Sequence, residues 1–134
     1  MFKTLASALS LVVLGAALGG CIVTTDPTPG LGTGTLTIDW TLNGSSHPSA
    51  CSHYWVDRVD VVLVDDFGDL VAHEEPYCED FGISFELENG WYTTEVTLLD
   101  AERYAVSDTA ITDVFVRRNR EAVVGVDFPE AVIY

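Results

Sequence analysis

A chain of 134 residues with 21 acidic against 6 basic side chains carries a net charge of −15, which repels phosphate backbones and argues against nucleic acid as a partner. Its length suits one domain rather than two. Its 48% hydrophobic content, with aromatic and β-branched residues throughout, argues against reading the acidity as disorder.

The first residues read as an export signal. Lys3 supplies a positive charge, and an apolar run from Leu5 to Leu18 follows, diluted by Ser7, Ser10 and Gly15. Gly19 and Gly20 then form a small-residue cleavage zone, so residues 1–20 are expected to be removed. The run is short for a membrane span, which needs about 20 apolar residues. Without it, Arg58, Arg103, Arg117, Arg118 and Arg120 are the only cations left apart from histidine. A surface so acidic favours solubility, divalent cations or basic partners.

The sequence Leu18-Gly19-Gly20-Cys21 resembles the lipobox of bacterial lipoproteins. That resemblance implies cleavage before Cys21, a diacylglycerol on its thiol and, usually, an acyl chain on its new amino group. At about 0.8 kcal/mol per buried methylene, several chains anchor a protein permanently. Ile22 follows the cysteine where an inner-membrane lipoprotein of that family carries Asp, which implies the outer membrane of a two-membrane bacterium. Residues 21–33, rich in Thr, Pro and Gly, read as a flexible tether, with the folded domain over 34–134.

Beyond the tether the pattern is that of strands. Leu36, Ile38, Trp40 and Leu42 alternate with Thr35, Thr37, Asp39 and Thr41, the period-2 mark of a half-buried strand that stops at Asn43-Gly44. Residues 45–54 form a polar loop holding Cys51. Residues 58–74 read as a hairpin about the turn Asp66-Phe67-Gly68-Asp69. A second polar loop holds Cys78, and Ile83, Phe85 and Leu87 then alternate with polar residues up to the turn Asn89-Gly90. Residues 91–99 form a long strand with Tyr92, Val96 and Leu98 inward. Two further strands, 109–116 and 121–128, flank the turn Arg117-Arg118-Asn119-Arg120, and residues 131–134 add a candidate edge strand.

Seven or eight short strands with no helix after the signal predict an all-β fold, a single antiparallel β-sandwich. Trp40, Phe85, Tyr92 and Phe128 are the aromatic core candidates. With Cys21 assigned to lipid, Cys51 and Cys78 are the two thiols left to pair in a compartment that permits disulfides. A metal site of Cys51 with His47 and His53 is the alternative, but it lacks the closely spaced cysteines of structural zinc sites.

The stretch Leu87-Glu88-Asn89-Gly90-Trp91-Tyr92 resembles the Gly-x-Tyr strand start of transthyretin-like and carboxypeptidase-regulatory-like β-sandwiches. There the tyrosine often bonds back across its loop, as in a tyrosine corner. More broadly, residues 34–129 are similar to a group of small uncharacterised bacterial lipoproteins. They share a strand like Trp40-Thr41-Leu42-Asn43-Gly44-Ser45, a cysteine on each side of the first hairpin, and an ending like Val126-Asp127-Phe128-Pro129. The resemblance implies a fold and an address, and no reaction.

No catalytic constellation stands out. No His-Glu-x-x-His or Gly-x-Ser-x-Gly pattern occurs, and Ser52, His53 and Asp57 make a hydrolytic set no better than most polar loops would. Asp65, Asp66 and Asp69 are weak calcium candidates, and Glu74, Glu75, Glu79 and Asp80 gather beside Cys78, but neither group has the alternate-position spacing of a calcium loop. The expectation is a non-enzymatic, membrane-anchored envelope lipoprotein without a cofactor. It would act as a binding or structural module for an envelope protein, a peptide or a glycan. His53, Tyr54, Trp55 and Tyr77 would either supply contact aromatics or pack under their own loops. A calcium-dependent adhesion or stability module is the alternative, and a small hydrolase the third reading.

Overall fold

The computed structural model describes residues 32–134. The expected signal peptide, Cys21 and nearly all of the expected tether lie outside the described residues.

Among the described residues, seven strands form two sheets. In chain order they are β1 (Thr33–Leu42), β2 (Arg58–Asp65), β3 (Leu70–Glu74), β4 (Gly82–Glu88), β5 (Gly90–Leu99), β6 (Ala110–Val116) and β7 (Glu121–Phe128). A three-stranded sheet runs β4-β1-β7 and a four-stranded sheet runs β3-β2-β5-β6. The two pack face to face as the expected sandwich. Leu36, Ile38, Trp40 and Leu42 of β1 meet Val59, Val61 and Leu63 of β2 and Val96 and Leu98 of β5 in one buried cluster. Phe128, 2% exposed, and Tyr92, 8% exposed, complete its aromatic part, whereas Phe85 lies only partly buried on the edge strand β4.

Three local features depart from the expectations. β1 pairs with β7 in parallel, from Thr35 opposite Glu121 to Leu42 opposite Phe128, so the sandwich is not wholly antiparallel. Side-chain alternation reports which face a residue occupies and carries no information on strand direction. A helix, α1 (Pro48–His53), interrupts the first cysteine loop. Pro48 presets its first φ and the His47 ring accepts from the Ser49 N–H, but six residues are too few to show a helical period. The C-terminus makes a 3₁₀ turn, Glu130–Val132, and only Ile133 bridges to Ser107, in place of an edge strand.

The connections sort cleanly between the two ends of the sandwich. One end collects the turn between β2 and β3, the Glu88–Gly90 junction of β4 and β5, the β6–β7 turn with Arg117, Arg118 and Arg120, and the start of β1. This is the arginine end, and the chain arrives here. The Asn119 N–H donates to Thr33 O at 2.9 Å, the Asn89 N–H to Gly32 O at 2.8 Å and the Thr35 N–H to Arg120 O at 2.9 Å. The approach is so close that a Cβ on Gly34 would stand 2.1 Å from Arg117 O.

The other end collects α1, the β3–β4 loop with its 3₁₀ turn Cys78–Asp80, and the β5–β6 loop with the C-terminal segment packed on it. Here Cys51 and Cys78, both fully buried, form the expected disulfide with Cα atoms 6.0 Å apart. It ties α1 to the 3₁₀ turn, and Trp40 Nε1 donates to Cys78 O at 3.0 Å to lock that junction to the core. Ten residues of β1 separate the ends by about 30 Å.

Candidate functional site at the disulfide end

The turn that leaves α1 exposes the largest aromatic side chain it contains. Trp55 has φ of 60°, a left-handed conformation costly for a bulky residue, and its side chain is 81% exposed. The backbone around it is well tied. The Trp55 N–H donates to Ser52 O, the Val56 N–H to Cys51 O at 2.8 Å, and the Asp57 N–H to Leu99 O at 2.9 Å. A rigid frame therefore holds a tryptophan away from the core that would otherwise bury it. Beside it lies a cleft of about 250 Å³, lined by Ser52, Trp55, Val56, Asp57, Glu79 and Ala101. Its walls are mostly apolar and two carboxylates stand at its margin. Larger hollows at the arginine end are lined by Arg117, Arg120 and Glu121 and are more polar.

The remaining contact aromatics divide. Tyr54 packs partly into the core, with the His53 ring edge-on to it at 4.6 Å between centroids. Tyr77 is half exposed, and the Arg58 guanidinium lies 3.8 Å above its ring, so one face is already taken. Tyr104, absent from the expected set, stands 68% exposed on the neighbouring β5–β6 loop. Its placement comes from the Asp100 turn, where the Asp100 carboxylate accepts from the Glu102 and Tyr104 N–H groups, both at 2.9 Å. An Asp at the head of a five-residue loop was the available signal.

The hydrolytic set is not assembled. Ser52 Oγ donates to Ser49 O within α1. Adjacent helical positions point about 100° apart, so His53 next to Ser52 faces elsewhere, toward Tyr54. The Cys51 thiol is in the disulfide and His47 caps α1, which leaves the alternative metal set without its sulfur. In the turn Asp65–Asp69, Asp65 Oδ1 accepts from the Phe67 and Asp69 N–H groups, both at 2.9 Å, while Asp66 and Asp69 point into solvent.

Tyr92 makes the bond implied by the Gly-x-Tyr resemblance. Its hydroxyl donates to Glu88 O at 2.7 Å. Burial, and then the charges of Glu88, Asp65 and Asp66, push its pKa above the ordinary tyrosine value. Gly90 is less constrained than the motif suggests. Its φ is not positive, and a Cβ there would touch nothing.

Among the described residues, one group of metal-capable side chains converges: Asp60, His73 and Glu75 on the outer face of the four-stranded sheet. The strand pattern alone misses it. Counted back from the Val64–Leu70 pair, Asp60 would face Glu74 and His73 would sit on the inner face. A bulge between Leu63 and Val64 shifts the register, so that Val62 faces His73 and Val61 faces Glu74, which puts His73 and Glu75 on Asp60's side.

Fold and site together define a disulfide-linked β-sandwich that carries a cleft beside an exposed tryptophan at one end. No family model and no curated protein matches the chain. Among solved structures it is similar to a candidate polysaccharide-binding protein of Bacteroides thetaiotaomicron, with 10% identity and a TM-score of 0.46 over 68% of this chain and 46% of that one. It is also similar to a leucine-rich repeat protein of the same organism, with 12% identity and a TM-score of 0.46 over 73% of this chain and 12% of that one. The chain thus spans less than half the length of either.

Proposed function

We propose that this chain is a non-enzymatic binding module of the bacterial envelope, held by lipid on Cys21, that presents the Trp55 cleft to an uncharged glycan. The observation that carries the reading is Trp55 itself, held exposed by a well-bonded left-handed turn at the end opposite the chain's arrival. A flat indole suits the apolar face of a sugar ring, and the Asp57 and Glu79 carboxylates accept hydrogen bonds from its hydroxyls. The net charge of −15 disfavours anionic sugars. The disulfide supports export, because such bonds persist in oxidising compartments.

Titration of the protein with a panel of neutral oligosaccharides, read by tryptophan fluorescence, tests the binding half. Trp55→Ala should abolish a saturable response that Trp91→Ala retains, since Trp91 belongs to the arginine end. An equal loss in both variants, or no response to any sugar, contradicts it. For the anchor, Cys21→Ala should move the protein from the membrane fraction to the soluble fraction. Unchanged membrane association would overturn the lipid reading.

A further inference from the structure

We propose that Asp60, His73 and Glu75 form a binding site for a divalent transition ion of zinc type, separate from the Trp55 cleft. One ligand atom from each residue lies within 4.8 Å of the other two. His73 Nε2 is 2.5 Å from Asp60 Oδ1, and Asp60 and Glu75 are half-buried. The three come from two paired strands and the residue just beyond them, a stiffer support than a loop. The β2–β3 bulge is what brings them to one face, and bulges commonly re-aim side chains beside functional sites.

The donor set selects the metal. An imidazole nitrogen with two carboxylate oxygens suits zinc and its neighbours, whereas calcium asks for six to eight oxygens. Zinc bonds of about 2.0–2.2 Å set tetrahedral ligand atoms about 3.3–3.6 Å apart. The His73–Asp60 pair must therefore open by about 1 Å, and no pair need close by more than about 1.5 Å. Rotation of the side chains can do this, since the His73 side chain is 49% exposed. Water would complete the coordination. A side-chain cation also stands at this group. Arg103 Nε lies 3.3 Å from Glu75 Oε2, on a residue with φ of 68°. A bound ion would displace this guanidinium from Glu75.

Zinc titration of the purified, oxidised full chain by calorimetry tests the site. One ion should bind per chain, and His73→Ala should weaken it at least about tenfold, the scale on which even supporting residues of metal sites act. Glu75→Gln should weaken it too, and Arg103→Ala should tighten it by removing the competitor. Replacing His47 and His53 together should change nothing, and calcium should give no comparable heat. Melting curves without metal show whether each variant is folded. Absence of saturable zinc binding, equal affinity in folded His73→Ala, or loss of binding in the His47/His53 variant would each overturn the proposal.

Discussion

The two ends of the sandwich are held by different means. At the arginine end the start of β1 lies across the β6–β7 turn, and backbone hydrogen bonds and the missing Cβ of Gly34 let the strands close together. Trp91, the exposed tryptophan of that end, rests edge-on against Phe115 at 5.2 Å, and Arg117 lies 5.7 Å from the Phe115 ring. Phe67, in the β2–β3 turn of the same end, is 84% exposed. At the disulfide end the loops are longer, a covalent bond does the fastening, and Trp55 is left with its faces open.

The largest test of that contrast is removal of the bond. Cys51→Ser with Cys78→Ser should cost about 3–4 kcal/mol, from a total of about 5–15 kcal/mol for a domain of this size, measured by denaturant unfolding. Hydrogen exchange should show α1 and the β3–β4 loop losing protection while the β6–β7 turn keeps it; a uniform loss would mean that the ends are not independently held. Gly34→Ala attacks the opposite end. A methyl group 2.1 Å from Arg117 O must push the turn away, at about 1–3 kcal/mol, with the exchange pattern reversed.

Tyr92→Phe should cost about 1 kcal/mol through loss of the bond to Glu88 O. It also carries a pH signature. The Tyr92 pKa is raised in the folded state, so its contribution is complete below the ordinary tyrosine value of about 10 and is lost as pH rises through the higher folded value. Urea midpoints measured above pH 10 should fall more steeply for the natural protein than for the phenylalanine variant. The smallest effect belongs to Gly90→Ala, expected within about 0.5 kcal/mol of zero because its Cβ meets open space.

The sandwich was legible because its strands obey a two-residue period. The boundaries of β2, β3 and β7 coincide with the segments read from the sequence, and the inward residues of β1 are those the alternation names. The disulfide followed from counting cysteines. What escaped the sequence depends on register and direction. The parallel β1–β7 pairing leaves the alternation of side chains unchanged, and the bulge that turns His73 outward is a register shift that the local pattern does not mark. The sequence named Trp55 and Tyr54 together, and of the two only Trp55 is exposed. Its separation from Tyr54, one residue earlier and packed inward, depends on a left-handed turn that no local pattern announces.

The protein contains its own probes for the proposal that the arginine end faces the membrane and the disulfide end faces the ligand. Trp91 and Trp55 sit at opposite ends, and Trp40 is buried in the core beneath the disulfide. Lipidated protein carrying Trp55→Phe or Trp91→Phe can be placed in vesicles containing a nitroxide-labelled lipid. Fluorescence from Trp91 should be quenched more strongly than fluorescence from Trp55. Equal quenching, or stronger quenching of Trp55, would contradict the account.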